Sequence, residues 1–210
     1  MSPGLSVFVV VVIIVAGWFA LGTHANVRKG HRLLDWLQSG LPLLGEKTTL
    51  QWLGSSVVHL KIEKANPPFR RAEVLIVLEP RDVPHLWLFS RLRGRRDLLI
   101  IRTELRAIPH VQVEVLDPAA WSTRAVDQEV RKEQWQLVPG NQQPYRIYSL
   151  PPITDLHEII TEALAPELSL VRIGVRRTGN ALELQWHLPS HPTAPARAAF
   201  EAVQRVAQRV

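Results

Sequence analysis

The longest apolar segment of the chain is Leu5-Ser-Val-Phe-Val-Val-Val-Val-Ile-Ile-Val-Ala-Gly-Trp-Phe-Ala-Leu21, a stretch with no charged residue and no proline. As an α-helix it would span roughly 25 Å, and with Gly22 and Thr23 it approaches the ~30 Å hydrocarbon core of a bilayer. Lipid offers the backbone no hydrogen-bond partners, so such a segment must form a helix. Trp18 and Phe19 lie near its C-terminal end, where aromatic rings suit the headgroup region. The sequence therefore predicts a transmembrane anchor at residues 1–23.

A cleaved signal peptide is the alternative interpretation of this segment. A signal peptide has a positively charged start and a shorter apolar core, whereas Met1 to Gly4 contains neither lysine nor arginine. Thr23-His24-Ala25 could still serve as a cleavage site. We expect an uncleaved anchor.

Basic residues after the apolar segment predict its direction. Arg28, Lys29 and Arg32 follow it, and no basic side chain precedes it. Positive segments favour the cytoplasmic side, so we expect the N-terminus outside the cell membrane and a cytoplasmic C-terminal domain. Translocation of the whole domain is the alternative, since long domains can cross regardless of charge. These three cations, with Trp18 and Phe19, are the predicted membrane-interface residues.

The positive charge of the chain is concentrated in its membrane-proximal half. The net charge is +6, and nine arginines face five acidic residues between Arg70 and Arg106. Basic residues close to an anionic leaflet contribute roughly 1 kcal/mol each to membrane binding. The chain contains no cysteine, which excludes a disulfide framework, a thiolate metal site and a cysteine nucleophile.

The chain after the anchor is predicted to contain two parts. Residues 24–45 form a basic juxtamembrane helix and linker, in which the helix lies under the bilayer or docks on the domain. Residues 46–210 form a soluble domain, with a candidate sub-boundary near 117–150. The fold class is α+β, with one N-terminal transmembrane helix followed by a mixed β-sheet domain with packed helices. The predicted strands are 48–53, 57–64, 74–78, 98–101, 111–115, 134–138, 145–150, 168–177 and 181–188, and the predicted helices are 26–38, 82–93, 118–133, 197–210 and one following Pro152.

The order strand, helix, strand over residues 74–101 predicts a parallel crossover. Val74–Leu78 and Leu98–Ile101 are continuously apolar, as in strands that are covered on both faces. Asp82 would cap the helix between them, and a crossover of this kind is right-handed. The polar residues after the first strand and before the second would then lie at opposite ends of the sheet.

Two β-hairpins are predicted in the C-terminal half. Gly179-Asn180 is a suitable two-residue turn, and pairing across it places Arg176 opposite Glu183. The other hairpin would turn at 139–143. Asp155 is predicted to cap the helix that follows it.

No motif for a cofactor or a metal is present, and we expect neither. The chain lacks a glycine-rich phosphate loop and a G-x-S-x-G elbow. His187 and His191 are four residues apart, but a proline between them argues against a shared helical face. Glu79, Arg81 and Asp82 follow a predicted central strand, where ligands commonly bind, so they are the candidates for a catalytic site.

Four closely spaced arginines are the candidates for anion or phosphate contact. Arg91, Arg93, Arg95 and Arg96 could bind lipid phosphates, an acidic protein or a nucleic acid. A solvated helix end is the alternative, because cations also complement the helix dipole. Interleaved aromatic residues for stacking on single strands are missing, so nucleic acid is the less favoured partner.

The functional prediction is a membrane-anchored cytoplasmic binding or scaffold domain without enzymatic activity. Its expected partners are the lipid bilayer, together with anionic lipid headgroups or an acidic protein. A membrane-associated enzyme with a dispersed site near residues 79–82 and a nucleic-acid-binding domain are the alternatives.

Overall fold

The computed structural model describes residues 2–138, 144–151, 156–189 and 194–210. Its first element, α1, runs without interruption from Pro3 to Leu37. The anchor and the juxtamembrane helix, which the sequence predicts as separate elements, are therefore one helix, since no proline interrupts the run between them. By length and apolar composition, this helix could cross a membrane.

The two halves of α1 have different surroundings. The apolar half is exposed as far as Leu21. From residue 22 onward, side chains three or four residues apart are buried in the domain, so a single helix face is covered. Docking on the domain is thus confirmed for this half of the helix. The buried residues of α1 are Gly22, Asn26, Gly30, Leu33 and Leu37.

Nine strands form one sheet in the order β1-β2-β3-β4-β9-β8-β5-β7-β6. All pairings among the described residues are antiparallel. The strands are β1 Gly45–Leu53, β2 Val57–Ala65, β3 Phe69–Val77, β4 Leu98–Leu105, β5 Val113–Leu116, β6 Gln136–Leu137, β7 Arg146–Ser149, β8 Ser169–Arg176 and β9 Ala181–His187. The further helices are α2 Leu41–Leu44, α3 Pro84–Leu92, α4 Arg124–Lys132, α5 His157–Leu164 and α6 Arg197–Arg209. The α+β fold with a long N-terminal apolar helix is confirmed.

One face of the sheet carries the main hydrophobic core. The docked half of α1, together with α2, α5 and α6, covers this face, and Trp186, Phe69 and Phe200 are fully buried there. The opposite face is covered only in part, by α4 and by the segment around Ala120. The opposite face therefore leaves room for charged side chains and for clefts.

A ladder of ion pairs crosses the strands of this opposite face. Glu114 on β5 is fully buried and accepts hydrogen bonds from Arg172 at 2.8 Å and from Arg176 at 2.9 Å. Arg172 also donates to Glu183 at 2.9 Å. A Cβ on Gly174 would lie 3.0 Å from Nη2 of Arg172 and 3.1 Å from Oε2 of Glu114. The glycine therefore leaves space for the buried ion pair.

β3 and β4 are antiparallel, so the predicted parallel crossover is wrong. Val77 pairs with Leu98, and the chain between them returns to the same end of the sheet. α3 does not cover the sheet as a crossover helix must, because none of its residues is buried. The polar residues at 79–82 and 91–97 consequently lie at the same end of the sheet, whereas the sequence predicts opposite ends.

The hairpin of β8 and β9 is confirmed, but its predicted register is wrong by two residues. Arg176 pairs with Ala181 and does not lie opposite Glu183. The connecting loop has four residues, 177–180, and Gly179 has a φ of 71°. A shift of two residues keeps every side chain on the same face of the sheet, so the alternation of apolar residues fits both registers equally well.

Local differences occur in the loops before α3 and α4. The segment predicted as a helix over 118–133 begins with a 3₁₀ turn at Trp121–Thr123, and Trp121 is 43% exposed. Asp82 does not cap α3, which starts after Val83; its carboxylate accepts a hydrogen bond from Oγ of Ser55 at 2.6 Å. The predicted turn at 139–143, the Asp155 cap and His191 lie outside the described residues.

Candidate functional site

Three segments meet at the end of the sheet nearest the apolar half of α1: α1 itself, the chain after β3 and the start of β4. We name their connected polar residues the anchor cluster. Its two carboxylates are almost fully buried, since Glu79 is 2% exposed and Asp97 is 4% exposed. The anchor cluster consists of Asn26, Lys29, Glu79, Arg81 and Asp97.

Asp97 is the centre of the anchor cluster. It accepts hydrogen bonds from Nζ of Lys29 at 2.6 Å, from two guanidinium nitrogens of Arg81 at 2.9 and 3.2 Å, and from the backbone N–H of Glu79 at 2.6 Å. Burial opposes ionisation, but the hydrogen bonds from Arg81 and Lys29 outweigh it and hold the pKa of Asp97 below its ordinary value. Asp97 is therefore ionised at neutral pH, and it ties α1 to β4.

Asn26 links α1 to the chain after β3. Its side-chain amide donates to the backbone carbonyl of Glu79 at 3.1 Å and accepts from Nη1 of Arg81 at 3.0 Å. Asn26 and Lys29 are three residues apart on the helix, which places both side chains on one face. The polar groups of both side chains are hydrogen-bonded to residues at two different strand ends.

α1 approaches the domain very closely just before the anchor cluster. A Cβ on Gly22 would lie 2.3 Å from the backbone oxygen of Arg81, so no larger residue fits without a shift of the backbone. Nε1 of Trp18 donates to the same oxygen at 3.0 Å, and the rings of Trp18 and Trp87 lie 6.3 Å apart. An apolar cavity of about 270 Å³ lies between these groups. Contacts between α1 and the domain therefore begin at Trp18.

α3 is attached to the anchor cluster through Glu79. Oε2 of Glu79 accepts hydrogen bonds from Nε1 of Trp87 at 2.9 Å and from Nη1 of Arg91 at 3.3 Å. The Arg91 guanidinium also lies 5.7 Å from the centre of the Trp87 ring. These contacts hold α3 beside α1 at the end of the apolar helix.

The outer surface of α3 exposes large apolar side chains to solvent. Leu92 is 78% exposed, and the other three are each about half exposed. Scattered exposed apolar side chains are ordinary, but four on one nine-residue helix form a patch of the kind that marks an interaction surface. The patch consists of Leu86, Leu88, Phe89 and Leu92.

The four predicted phosphate-contact arginines lie in the last turn of α3 and in the segment that follows it. Arg91 pairs with Glu79, whereas Arg93, Arg95 and Arg96 have no carboxylate partner among the residues that the structure describes. The guanidinium of Arg93 lies over Phe89, and that of Arg95 lies over Trp121. Three guanidinium groups thus remain available to an external anion at this end of the domain.

The other predicted site residues are only partly brought together. Arg28 and Arg32 are exposed on α1, and Phe19 is exposed on its apolar half. Of the catalytic candidates, Glu79 and Arg81 share the anchor cluster, while Asp82 bonds to Ser55 outside it. In the described part of the chain, no group of three or more histidines and carboxylates could hold a metal ion.

Three residues that position this site are missed by reasoning from sequence. Asn26, Trp87 and Asp97 each look unremarkable in the chain, and none belongs to a recognised motif. Only the antiparallel pairing of β3 with β4 brings Asp97 next to Glu79. The position of Asn26, a polar residue in the helix immediately after an apolar span, is the one feature of the sequence that could have indicated its role.

The anchor cluster is a buried ion-pair network. Each of its two buried carboxylates accepts hydrogen bonds from at least two donors, so both serve to hold α1, α3 and the strand ends together. The exposed helix and its arginines are the part of the site that can bind. No protein-family model matches this chain, and no curated protein matches it in sequence.

Proposed function

We propose that this protein is a single-pass membrane protein whose cytoplasmic α+β domain is docked against the anionic inner leaflet, where it serves as a binding or scaffold module. The observation that carries the proposal is the continuity of α1, whose apolar half leads directly into a half that is buried in the domain. A helix bonded through Asn26 and Lys29 to two strand ends cannot swivel freely. The domain would therefore keep a fixed orientation relative to the bilayer.

The retained helix is favoured over a cleaved signal peptide by its packing. Cleavage after Ala25 would remove Gly22 and Trp18, which contact the backbone of Arg81. A transient targeting segment has no need for such contacts. A retained α1 explains both the small residue at Gly22 and the hydrogen bond made by Trp18.

The length of the free apolar helix supports docking of the domain on the leaflet. From Leu5 to Gly17 the helix would span roughly 20 Å, which is shorter than the ~30 Å hydrocarbon core. With Trp18 to Leu21, which lie beside α3, the apolar run is roughly 25 Å long, so the span approaches the required length only if these residues also enter the apolar region. The exposed leucines and Phe89 of α3 would then enter the interface, while the arginines extend to headgroup phosphates.

The exposed basic residues support the proposed direction of insertion. Arg28 and Arg32 lie on the domain side of the apolar half and are exposed, as are Arg91, Arg93 and Arg96. This arrangement fits the positive-inside rule, with the N-terminus outside. The inner leaflet is also the anionic one, so the same charges favour docking there.

The absence of cysteine allows a direct test in the full-length protein. Leu88→Cys, carrying an environment-sensitive fluorophore, would report on α3 in vesicles that contain spin-labelled phosphatidylserine. We expect strong quenching at this position. Thr178→Cys, in the exposed loop at the opposite end of β9, is the control and should remain unquenched. Equal quenching at the two positions, or none at either, would rule out the docked orientation.

Topology is tested separately with the same control variant. In cells, a membrane-impermeant maleimide should label Thr178→Cys only after permeabilisation. Labelling of intact cells would place the domain outside and overturn the cytoplasmic assignment.

A further inference from the structure

Two adjoining cavities lie beside α3 at the same end of the domain. Their volumes are about 180 and 200 Å³, and Arg95 and Trp121 line both of them. The first lies over the ends of β3, β4 and β9, and the second lies along α3. We name the two cavities together the α3 cleft.

The α3 cleft has an apolar surface at both ends. Val77, Leu98 and Ile100 line the first cavity from the sheet. Leu86 and Phe89 line the second cavity from the side of α3. A purely ionic ligand would leave these surfaces unused, whereas an amphiphile would cover them.

Arg95 supplies an uncompensated positive charge between the two cavities. Its side chain is half-buried, and among the described residues no carboxylate pairs with it. Arg96 stands beside it, and its Nη1 donates to the backbone oxygens of Arg91 at 3.2 Å and of Arg95 at 2.8 Å. These bonds fix the second guanidinium at the cleft. A partly buried cation without a counter-ion is unfavourable, so the site gains from an external anion.

His187 and Ser122 add neutral hydrogen-bonding groups to the same cavity. Nδ1 of His187 is buried and finds no hydrogen-bond partner within the described residues. An unpaired buried polar atom is costly, so a ligand group that pairs with it would be favoured. Burial lowers the pKa of His187, so the ring is neutral and carries one N–H that can donate to a phosphate oxygen.

We propose that the α3 cleft binds the phosphate headgroup of an anionic phospholipid, a proposal that rests on the docked orientation described above. The phosphate lies between Arg95, Arg96 and His187, and the glycerol covers the apolar ends of the strands. The first part of an acyl chain passes Trp121 and leaves along α3 into the bilayer. A single ligand would then pair with the free guanidinium groups and cover the apolar walls of the cleft.

The binding test uses the full-length protein in nonionic detergent micelles and does not require a bilayer. Ala119→Cys carries the fluorophore, because its exposed position lies at the cleft: the Ala119 backbone oxygen is 3.9 Å from a Cβ placed on Gly94. The probes are dioctanoyl phosphatidate, dioctanoyl phosphatidylcholine, glycerol 3-phosphate and inorganic phosphate. We expect a saturable response to phosphatidate that the other three probes produce only at much higher concentration.

A matched pair of arginine variants separates the cleft from general attraction by charge. Arg95→Gln removes a guanidinium that makes no protein ion pair in the described chain, so the fold should persist. Arg28→Gln removes the same charge from an exposed position of α1. Arg95→Gln should weaken phosphatidate binding roughly tenfold or more, and Arg28→Gln should leave it unchanged. His187→Phe, which keeps an aromatic side chain but removes both ring nitrogens, should also weaken phosphatidate binding.

Three results would overturn the proposal. Equal weakening by Arg95→Gln and Arg28→Gln would mean that attraction is diffuse. Binding of glycerol 3-phosphate as tight as that of phosphatidate would indicate a site for soluble phosphates. A response to phosphatidate that never saturates would mean micelle partitioning. Failure of leaflet docking is seen independently, as missing quenching at Leu88→Cys, and so is not confused with failure of the cleft.

Discussion

Nζ of Lys29 lies 2.6 Å from Oδ2 of Asp97, so a cation on the helix that follows the apolar span neutralises a buried carboxylate at the start of β4. Lys29 is itself largely covered, and Arg81 completes the charge balance from the end of β3. One carboxylate thereby holds together α1 and two central strands. Its loss should affect both the stability of the domain and the orientation of the helix.

Asp97→Asn should lower the free energy of unfolding by about 3 kcal/mol at pH 7, because it leaves Lys29 and Arg81 buried without their counter-charge. The native pKa of Asp97 lies below its ordinary value of 3.8, so the ionised form favours the folded state. This contribution is complete above the ordinary value and is lost as pH falls through the native pKa. The difference between wild type and variant should therefore shrink below about pH 4. Denaturant unfolding of the detergent-solubilised wild type and variant, repeated between about pH 3 and pH 7, measures this difference.

Glu104→Gln is the control for that prediction. Glu104 pairs with Arg70 at 3.0 Å on the surface, where its partner is mostly exposed. An exposed pair contributes roughly 0–1 kcal/mol, so this variant should be close to wild type. If Glu104→Gln lowered the free energy of unfolding as much as Asp97→Asn, the anchor cluster would contribute no more to stability than a surface ion pair.

Gly22→Ala should separate α1 from the domain, because its Cβ would lie 2.3 Å from the backbone oxygen of Arg81. Relief of such a clash requires a backbone shift, with an expected loss of about 1–3 kcal/mol. The hydrogen bond from Trp18 to the same oxygen should also weaken. Hydrogen exchange of the amides in residues 79–82 measures the loosening.

Gly17→Ala provides a matched control in the same helix. A Cβ at Gly17 meets nothing within 4 Å, and alanine is the better helix former. This variant should retain wild-type exchange at residues 79–82. Similar loosening in both variants would trace the effect to the helix itself and exclude the close approach to Arg81 as its cause.

The general architecture follows from local patterns in the sequence, but the site does not. The apolar run of α1 and the alternation in β2, β8 and β9 are local signals, and the corresponding elements are present. The direction of β4 relative to β3 is different, because two continuously apolar strands fit parallel and antiparallel sheets equally well. α3 decides between them, since it lies outside the sheet and leaves β4 free to return beside β3.

The arrangement of the domain end next to α1 depends on that strand direction. With β3 and β4 antiparallel, Glu79 and Asp97 meet, and the arginines of 91–96 lie close to the end of α1. The sequence does indicate the positive charge of 91–96 and the catalytic candidates at 79–82. It gives no indication that Arg91 belongs with Glu79 while Arg95 remains unpaired. Long-range ion pairing of this kind has no periodic signature in a single chain.

Glu114→Gln should be among the most destabilising single substitutions on the open sheet face. Glu114 is fully buried and accepts three hydrogen bonds from Arg172 and Arg176. Its neutralisation leaves two guanidinium groups without their main partner, at an expected cost of about 3–5 kcal/mol. Glu129→Gln, which removes a half-exposed partner of Arg176, should cost less than about 1 kcal/mol. Thermal unfolding of both variants checks the contrast, and equal shifts would contradict it.

In the proposed docked orientation, Leu92→Asp should reduce contact with the membrane without changing the stability of the fold. Leu92 is 78% exposed, so the variant should unfold within about 0.5 kcal/mol of wild type in detergent. In vesicles, a carboxylate at this position would face anionic headgroups and would have to enter the interface. Quenching of the Leu88→Cys reporter by spin-labelled lipid should therefore fall severalfold.

Ile108→Asp makes the same chemical change at a residue that is 65% exposed on the loop between β4 and β5, away from α3. It should leave the quenching intact, and a fall in both variants would mean that α3 is not the surface that meets the bilayer.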